Sequence, residues 1–184
     1  MITYREYCKT IKEDWGKTSP IPKEVYDFPD PLKGINWIDL GLPSGTLWAD
    51  ENLHNPNDEN GLWTYDEIMN SEYEIYVPTL KQIEELWDSC DWEWGEYRHE
   101  YVVSGGNGHM IRLPGMGQLI DVHLGGGDAN VGYYLTSTPK EAKYYVNTFY
   151  FNGGSNTLIP GSGIHCGIKV AVRLVKKSNQ KYNI

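Results

Sequence analysis

The chain has 184 residues, of which 40% are hydrophobic and 22% are charged, which is enough length and apolar content for one folded domain. Its formal net charge is −9, and its only basic cluster is the short group Arg173, Lys176, Lys177 and Lys181. A protein that follows nucleic-acid phosphates needs a basic stripe, so this charge balance argues against nucleic acid as a partner.

Residues 1–34 predict an arm made of a short helix and a connector. Thr3 and Glu6 have the spacing of a capping box, and an apolar stripe at steps of three and four follows at Tyr4, Tyr7, Ile11 and Trp15. Prolines then recur at 20, 22, 29 and 31, which favours an extended connector. The helix could dock on a neighbouring chain or fold back onto its own domain, and both interpretations stay open.

Residues 35–178 predict the main domain, and residues 179–184 a polar tail. The stretch 35–49 indicates a β-hairpin, because Ile38, Leu40 and Leu42 alternate and Pro43-Ser44-Gly45 can form the turn. A polar loop over 50–62 follows. Thr64 and Glu67 then have capping-box spacing, which predicts a short helix that ends near Asn70.

The clearest predicted helix begins at Thr79, which forms a second capping pattern with Gln82. Its expected inner face carries Ile83, Leu86, Trp87 and Cys90. Two strands, 101–104 and 110–113, flank Gly105-Gly106-Asn107-Gly108. The Asn-Gly pair predicts a primed turn with positive φ at both residues. A long irregular segment is expected over 114–132.

The last third of the chain is expected to be β-structure. Residues 144–151 predict a strand, 152–155 a turn, 156–159 the returning strand and 160–163 a further loop. A final strand with one buried face is predicted from Ile168, Val170, Val172 and Leu174. We assign Phe149, Phe151, Val170 and Val172 to the core. The pattern as a whole indicates an α+β fold with short antiparallel sheets, two or three helices and long irregular loops.

Five phrases between residues 35 and 175 form a specific set when they are taken together. They are WIDLGLPSGTLWA at 37–49, VPTLKQIEELWDSCDWEW at 77–94, GGNGHMIRLPGMG at 105–117, GYYLTSTP at 132–139 and GIKVAVRLV at 167–175. In order and spacing this set resembles the Fibrobacter succinogenes major paralogous domain, a family abundant in gut bacteria and their phages. The chain departs from that pattern at Leu135, where Trp is usual, and in the loop with Pro160, Gly161 and Gly163.

The resemblance implies a C-type-lectin-like fold of the formylglycine-generating-enzyme type. Related domains are the variable binding tips of phage and bacterial proteins diversified by retroelements, and their late strands and loops carry the contact residues. The resemblance therefore implies a contact surface around residues 144–166, although the departures argue against diversification. We predict ligand or partner contacts at Tyr144, Tyr150, Asn152, Asn156 and His165.

Catalytic and metal-binding motifs are weak in this sequence. The five histidines, His54, His99, His109, His123 and His165, form no HExxH pair, and neither a GxSxG elbow nor a P-loop occurs. Formylglycine-generating relatives use two reactive cysteines near the C-terminal end, where this chain has only Cys166. We expect no catalytic residue, no metal site and no cofactor, although the composition of the acidic loop 50–60 leaves calcium binding as an alternative.

The expected function is a non-catalytic binding or assembly module, such as a phage or prophage structural protein or a gut-bacterial adhesion protein. The expected partners are a host-surface glycan or protein, or other virion subunits, and a homo-oligomer stays open. Two alternatives are an enzyme of carbohydrate-hydrolase or degenerate formylglycine-generating type and a purely oligomeric scaffold. Residues 1–15 lack the apolar core of an export signal. We therefore expect the virion or the cytoplasm, or the cell surface if such a signal was trimmed. No apolar run reaches about 18 residues, which predicts no membrane span.

Overall fold

The computed structural model describes residues 30–115 and 129–178. The predictions of a helix over 3–15 and a polar tail over 179–184 lie outside these residues, as do most of the connector and of the segment 114–132. The contacts within the chain divide it between Gly34 and Ile35. The second unit, Ile35–Ile184, carries the sheets and helices of the described residues.

The described residues form an α+β structure of three small antiparallel sheets and two short α-helices, with single 3₁₀ turns at Glu74–Tyr76 and Gly153–Ser155. The first sheet has the order β1-β2-β9, with β1 at Trp37–Asp39, β2 at Thr46–Ala49 and β9 at Val175–Lys177. The second sheet has the order β3-β4-β5, with β3 at Cys90–Gly95, β4 at Glu100–Gly105 and β5 at Met110–Pro114. The third sheet has the order β6-β7-β8, with β6 at Val131–Pro139, β7 at Tyr145–Asn152 and β8 at Thr157–His165. The coarse fold class is therefore as predicted.

The two helices begin at the predicted caps. Helix α1, Tyr65–Met69, has a complete capping box between Thr64 and Glu67. Helix α2, Leu80–Ser89, has another, in which the Gln82 N–H donates to Thr79 Oγ1 at 3.3 Å and the Thr79 N–H donates to Gln82 Oε1 at 2.9 Å. Each box satisfies backbone donors that would otherwise lack partners, which confirms both predictions.

The inner face of α2 is narrower than predicted. Ile83 and Leu86 are buried, whereas Trp87 is exposed and Cys90 is only half-buried. The prediction for Trp87 is wrong, since only Ile83 and Leu86 of this short helix pack into the core. The helix ends at Ser89, so Cys90 belongs to β3 instead of the helix face.

The hairpin β4–β5 forms where predicted, but its turn differs. Gly108 has φ +84°, whereas Asn107 is not among the described residues with positive φ. The predicted primed turn is therefore wrong. Four residues separate the two strands, and the Gly108 N–H donates to the Gly105 carbonyl at 2.9 Å, so only Gly108 has to adopt the left-handed conformation.

The C-terminal third also departs from two predictions. Residues 160–163 continue β8, and a register shift opposite Thr148 and Phe149 accommodates them. Residues 168–174 are not one regular strand. They form isolated bridges, Trp63 with Val170 and Tyr134 with Ala171, and the regular pairing of β9 begins only at Val175. Ala171 and Arg173 are buried together with Val170 and Val172, because the chain passes through the interior here and has no solvent-facing side.

Aromatic rings form the centre of the core. Phe149 and Phe151 of β7 are buried, as predicted, and so are Val170 and Val172. The ring of Phe151 lies 5.1 Å from that of Tyr101, and the ring of Phe149 lies 5.3 Å from that of Trp92. The core therefore joins the second and third sheets through their aromatic side chains. Among the described residues, no helix is long and apolar enough to cross a membrane.

Candidate functional site

Strand β7 and its partner β8 position most of the predicted contact residues. The hairpin pairs antiparallel from Tyr145 opposite His165 to Asn152 opposite Thr157. The sequence of β7, YVNTFYFN, is rich in β-branched and aromatic residues, which suit a pleated and half-buried surface. We call the Tyr145 end of β7 the outer end and the Asn152 end the inner end.

An exposed group of aromatic rings lies at the outer end. The centre of the His165 ring lies 6.2 Å from that of Tyr144, with the two rings stacked, and 6.0 Å from that of Tyr145, with the two rings edge to face. Tyr144 is 59% exposed and Tyr145 is 47% exposed. The Lys143 Nζ lies 4.7 Å from the centre of the Tyr144 ring, within cation–π range. We call Tyr144, Tyr145 and His165 the aromatic surface.

The backbone of Tyr144 is in an unusual conformation. Its φ is +68°, in the left-handed region that bulky residues rarely adopt. The Cys166 N–H donates to the Tyr144 carbonyl at 2.8 Å, and the neighbouring Tyr145 N–H donates to the Ala142 carbonyl at 3.0 Å. These bonds hold the strained turn in place. Such strain concentrates at functional sites when the surrounding structure maintains it.

The other three predicted residues do not join this surface. Tyr150 is half-buried, and its ring lies 4.8 Å from that of Tyr133 on β6. Asn152 and Asn156 lie at the inner end, roughly 20 Å away at about 3.3 Å per strand residue. Asn156 has φ +49°, and its Oδ1 accepts a hydrogen bond from the buried Tyr101 hydroxyl at 3.0 Å. The structure thus brings together Tyr144 and His165, and it places the remaining three elsewhere.

Two residues of this region were missed by sequence reasoning. Tyr145 contributes a ring to the aromatic surface, and Lys143 contributes a cation beside it. The run Lys143-Tyr144-Tyr145 was the available signal. Alternation alone could not locate the outward residues, because Val146 to Phe149 are all buried and β7 therefore shows no regular period of two.

A polar cleft of about 550 Å³ lies on different elements. Three carboxylates line it, together with an amide, two guanidinium groups and three less polar residues: Asp50, Glu51, Asn52, Glu100, Met110, Ile111, Arg112, Pro114 and Arg173. This volume is within the range of about 300–1,000 Å³ typical of small-molecule sites. Of this lining, the sequence singled out only Asp50, Glu51 and Asn52, as part of the acidic loop 50–60, since the lining comes from four separate stretches of the chain.

Arg173 is the most unusual residue of the cleft. It is only 2% exposed, and burial lowers the pKa of its guanidinium, while Tyr134, Asp50 and Glu51 oppose that effect. Its Nη1 donates to the Ala49 carbonyl at 3.1 Å, and its Nη2 donates to the Arg112 carbonyl at 2.6 Å. Its Nε is buried and has no hydrogen-bond partner among the described residues.

In the acidic loop 50–60, where calcium binding was left as a possibility, the carboxylate of Asp58 is held by protein groups. Asp58 Oδ2 accepts hydrogen bonds from the Asn60 and Leu62 N–H groups at 3.1 and 2.9 Å. Its Oδ1 pairs with Lys169 Nζ at 2.6 Å, which with these bonds lowers the pKa of Asp58. Within residues 30–115 and 129–178, no three His, Cys, Asp or Glu side chains are grouped so that they could hold a metal ion.

The two described cysteines, Cys90 and Cys166, are both free thiols. Burial raises the pKa of Cys90 to about 11, and the negative charges of Asp91 and Glu85 add to this effect. The Cys90 thiol therefore remains protonated at neutral pH, which disfavours attack as a nucleophile.

No protein-family model, curated protein or solved structure matches the chain.

Proposed function

We propose that this protein is a non-catalytic binding or assembly module that contacts its partner through the aromatic surface of Tyr144, Tyr145 and His165. The scaffold would be a C-type-lectin-like domain, as the resemblance to the Fibrobacter succinogenes major paralogous domain implies. The partner would be a host-surface glycan or protein, or another virion subunit. The protein would then act in a virion or at a cell surface.

The observation that carries this proposal is the exposure of three adjoining rings at the outer end of β7. Tyrosine is enriched at binding surfaces because it offers a rigid apolar face and a hydroxyl group at a low entropic cost. Elsewhere on β7 the aromatic side chains are buried or half-buried, so the exposure of Tyr144 and Tyr145 is local. The strained backbone at Tyr144 adds support, because folding alone does not require a tyrosine in that conformation.

The catalytic alternative has less support. The resemblance implies that a formylglycine-generating mechanism uses two reactive cysteines near the C-terminal end, where this chain has only Cys166, and the raised pKa of Cys90 disfavours Cys90 as the second. A carbohydrate hydrolase needs two carboxylates that face the substrate. In the polar cleft, Glu100 Oε1 is paired with Arg112 at 2.7 Å, and Asp50 Oδ2 accepts a hydrogen bond from Asn36 at 3.0 Å.

The proposal can be tested with one double variant and one control. The double variant, Tyr144→Ser with Tyr145→Ser, removes both exposed rings. The control, Tyr97→Ser, removes a tyrosine that is fully exposed on the β3–β4 turn, away from the aromatic surface. The labelled full chain is applied to a glycan array and to intact gut-bacterial cells, and its mass in solution is measured by light scattering.

We expect the wild-type chain and Tyr97→Ser to bind equally well, and the double variant to bind at least about tenfold more weakly. An oligomer that dissociates only in the double variant would support the assembly form of the proposal. Equal binding by all three chains would contradict it, and so would a monomer that binds neither the array nor the cells.

A further inference from the structure

The polar cleft is a second candidate site, separate from the aromatic surface. Its lining residues come from the segment after β2, from β4 and β5, and from the irregular segment before β9. None of the residues of the aromatic surface lines it. Ligand binding in the cleft is therefore independent of the function proposed for the aromatic surface.

The charges of the lining disfavour ionic ligands. Three carboxylates and two guanidinium groups give the lining a net formal charge of −1. An anion would meet Asp50, Glu51 and Glu100, and Arg112 is already paired with Glu100. A cation would meet the buried Arg173, and no three-residue metal-binding group occurs in the described parts of the chain.

The remaining chemistry favours a neutral ligand with many hydroxyl groups. Each hydroxyl group both donates and accepts, so it can use carboxylates and guanidinium groups side by side without adding a charge. Hydrogen bonds to charged groups are stronger than those between neutral groups. We propose that the polar cleft binds a neutral polyhydroxylated small molecule, such as a mono- or disaccharide, and does not turn it over.

The lining offers each kind of contact that such a ligand needs. Glu51 is exposed and supplies carboxylate acceptors, and Arg112, whose side chain is 46% exposed, supplies guanidinium donors. Met110, which is 47% exposed, and Pro114 provide apolar surface for the C–H face of a sugar ring. Arg173 fixes the base of the cleft by bonding two backbone carbonyls, one before the cleft segment and one on β5.

The test uses the full chain and defined probes: glucose, galactose, N-acetylglucosamine and maltose. Binding is followed by two-dimensional NMR, including the side-chain Nε–H signal of Arg173, which reports on the cleft itself. Two exposed positions of the lining are varied, Glu51→Gln and Met110→Ser. The control, Glu84→Gln, makes the same change on the exposed face of α2, outside the cleft.

We expect at least one sugar to shift the Arg173 Nε–H signal and the backbone signals of residues 50–52 and 110–114. Glu51→Gln should weaken this binding about tenfold or more, because it removes a charged acceptor, and Glu84→Gln should leave it unchanged. Met110→Ser should also weaken binding, through loss of apolar contact.

Three results would overturn the inference. They are the absence of any sugar-induced shift, sugar binding that survives unchanged in both cleft variants, and shifts that only acetate or methylammonium produces. Cleavage of maltose would overturn the claim that the ligand is not turned over. The double variant at Tyr144 and Tyr145 should still bind sugar in the cleft, so failure at one site is distinguishable from failure at the other.

Discussion

The two ends of strand β7 use aromatic side chains for opposite purposes. At the inner end, Phe149 and Phe151 are fully buried against rings of the second sheet. At the outer end, Tyr145 and the preceding Tyr144 remain exposed beside His165. One strand therefore carries both a stabilising core and a candidate contact surface. The position of a ring relative to the neighbouring sheet decides its role, and the residue type alone does not.

The largest expected effect is at the inner end. Phe151→Ala should lower the free energy of unfolding by about 3–5 kcal/mol, because it leaves a cavity among Trp94, Tyr101 and Tyr134. Tyr145→Ala, on the same strand, should change it by less than about 0.5 kcal/mol. Urea denaturation followed by circular dichroism measures both. If both variants lost the same unfolding free energy, the two ends of β7 would not differ in their contribution to stability.

A smaller effect is expected at the turn that follows the inner end. A methyl group on Gly153 would enter the ring of Trp94, whereas on Gly154 its nearest neighbour would be Asn152 Oδ1 at 3.4 Å. Gly153→Ala should therefore cost about 1–3 kcal/mol of unfolding free energy through overpacking. Gly154→Ala should be neutral or slightly stabilising. Thermal unfolding of this adjacent pair checks the packing, and a tolerated Gly153→Ala would show that the inner end is loosely packed.

The smallest expected effect is at the link between the core and the predicted contact residue Asn156. Tyr101→Phe removes the hydrogen bond to Asn156 Oδ1 and should lower the free energy of unfolding by about 0.5–1.5 kcal/mol. If Asn156 serves mainly the fold, partner binding should not change in this variant. Urea denaturation and partner binding, measured in parallel on this variant, distinguish a structural role of Asn156 from a contact role. A loss of binding would show that Asn156 contributes to partner contact.

The same variant has a signature in alkaline solution. Burial raises the pKa of Tyr101 above its usual value of about 10. The hydroxyl proton of Tyr101 is therefore lost at a lower pH in the unfolded chain than in the folded chain. The free energy of unfolding keeps its full value below about pH 10 and declines as the pH rises through the folded-state pKa. Tyr101→Phe should reduce this decline. A decline of the same size in both proteins would assign it to other tyrosines, such as Tyr134, whose pKa is also raised by burial.

Local sequence signals determined the elements that depend on neighbouring residues. Both capping boxes, the hairpins β1–β2, β4–β5 and β7–β8, and the α+β class follow from spacing and turn residues within about ten positions. The proximity of Tyr144 and His165 could also be predicted from the sequence, because the two strands of a hairpin bring their ends together. The family resemblance and the function that it implies stay predictions.

Tertiary packing decided the features that local spacing could not encode. The alternation over 168–174 predicted a half-exposed strand, but this segment forms only isolated bridges with Trp63 and Tyr134, and Ala171 and Arg173 are buried along with Val170 and Val172. The polar cleft joins residues 50–52 to residue 173, more than a hundred positions apart. Residue spacing fixes which side chains share one face of an element. Which faces are then covered depends on how the sheets pack, and this packing left the outer end of β7 and the polar cleft open.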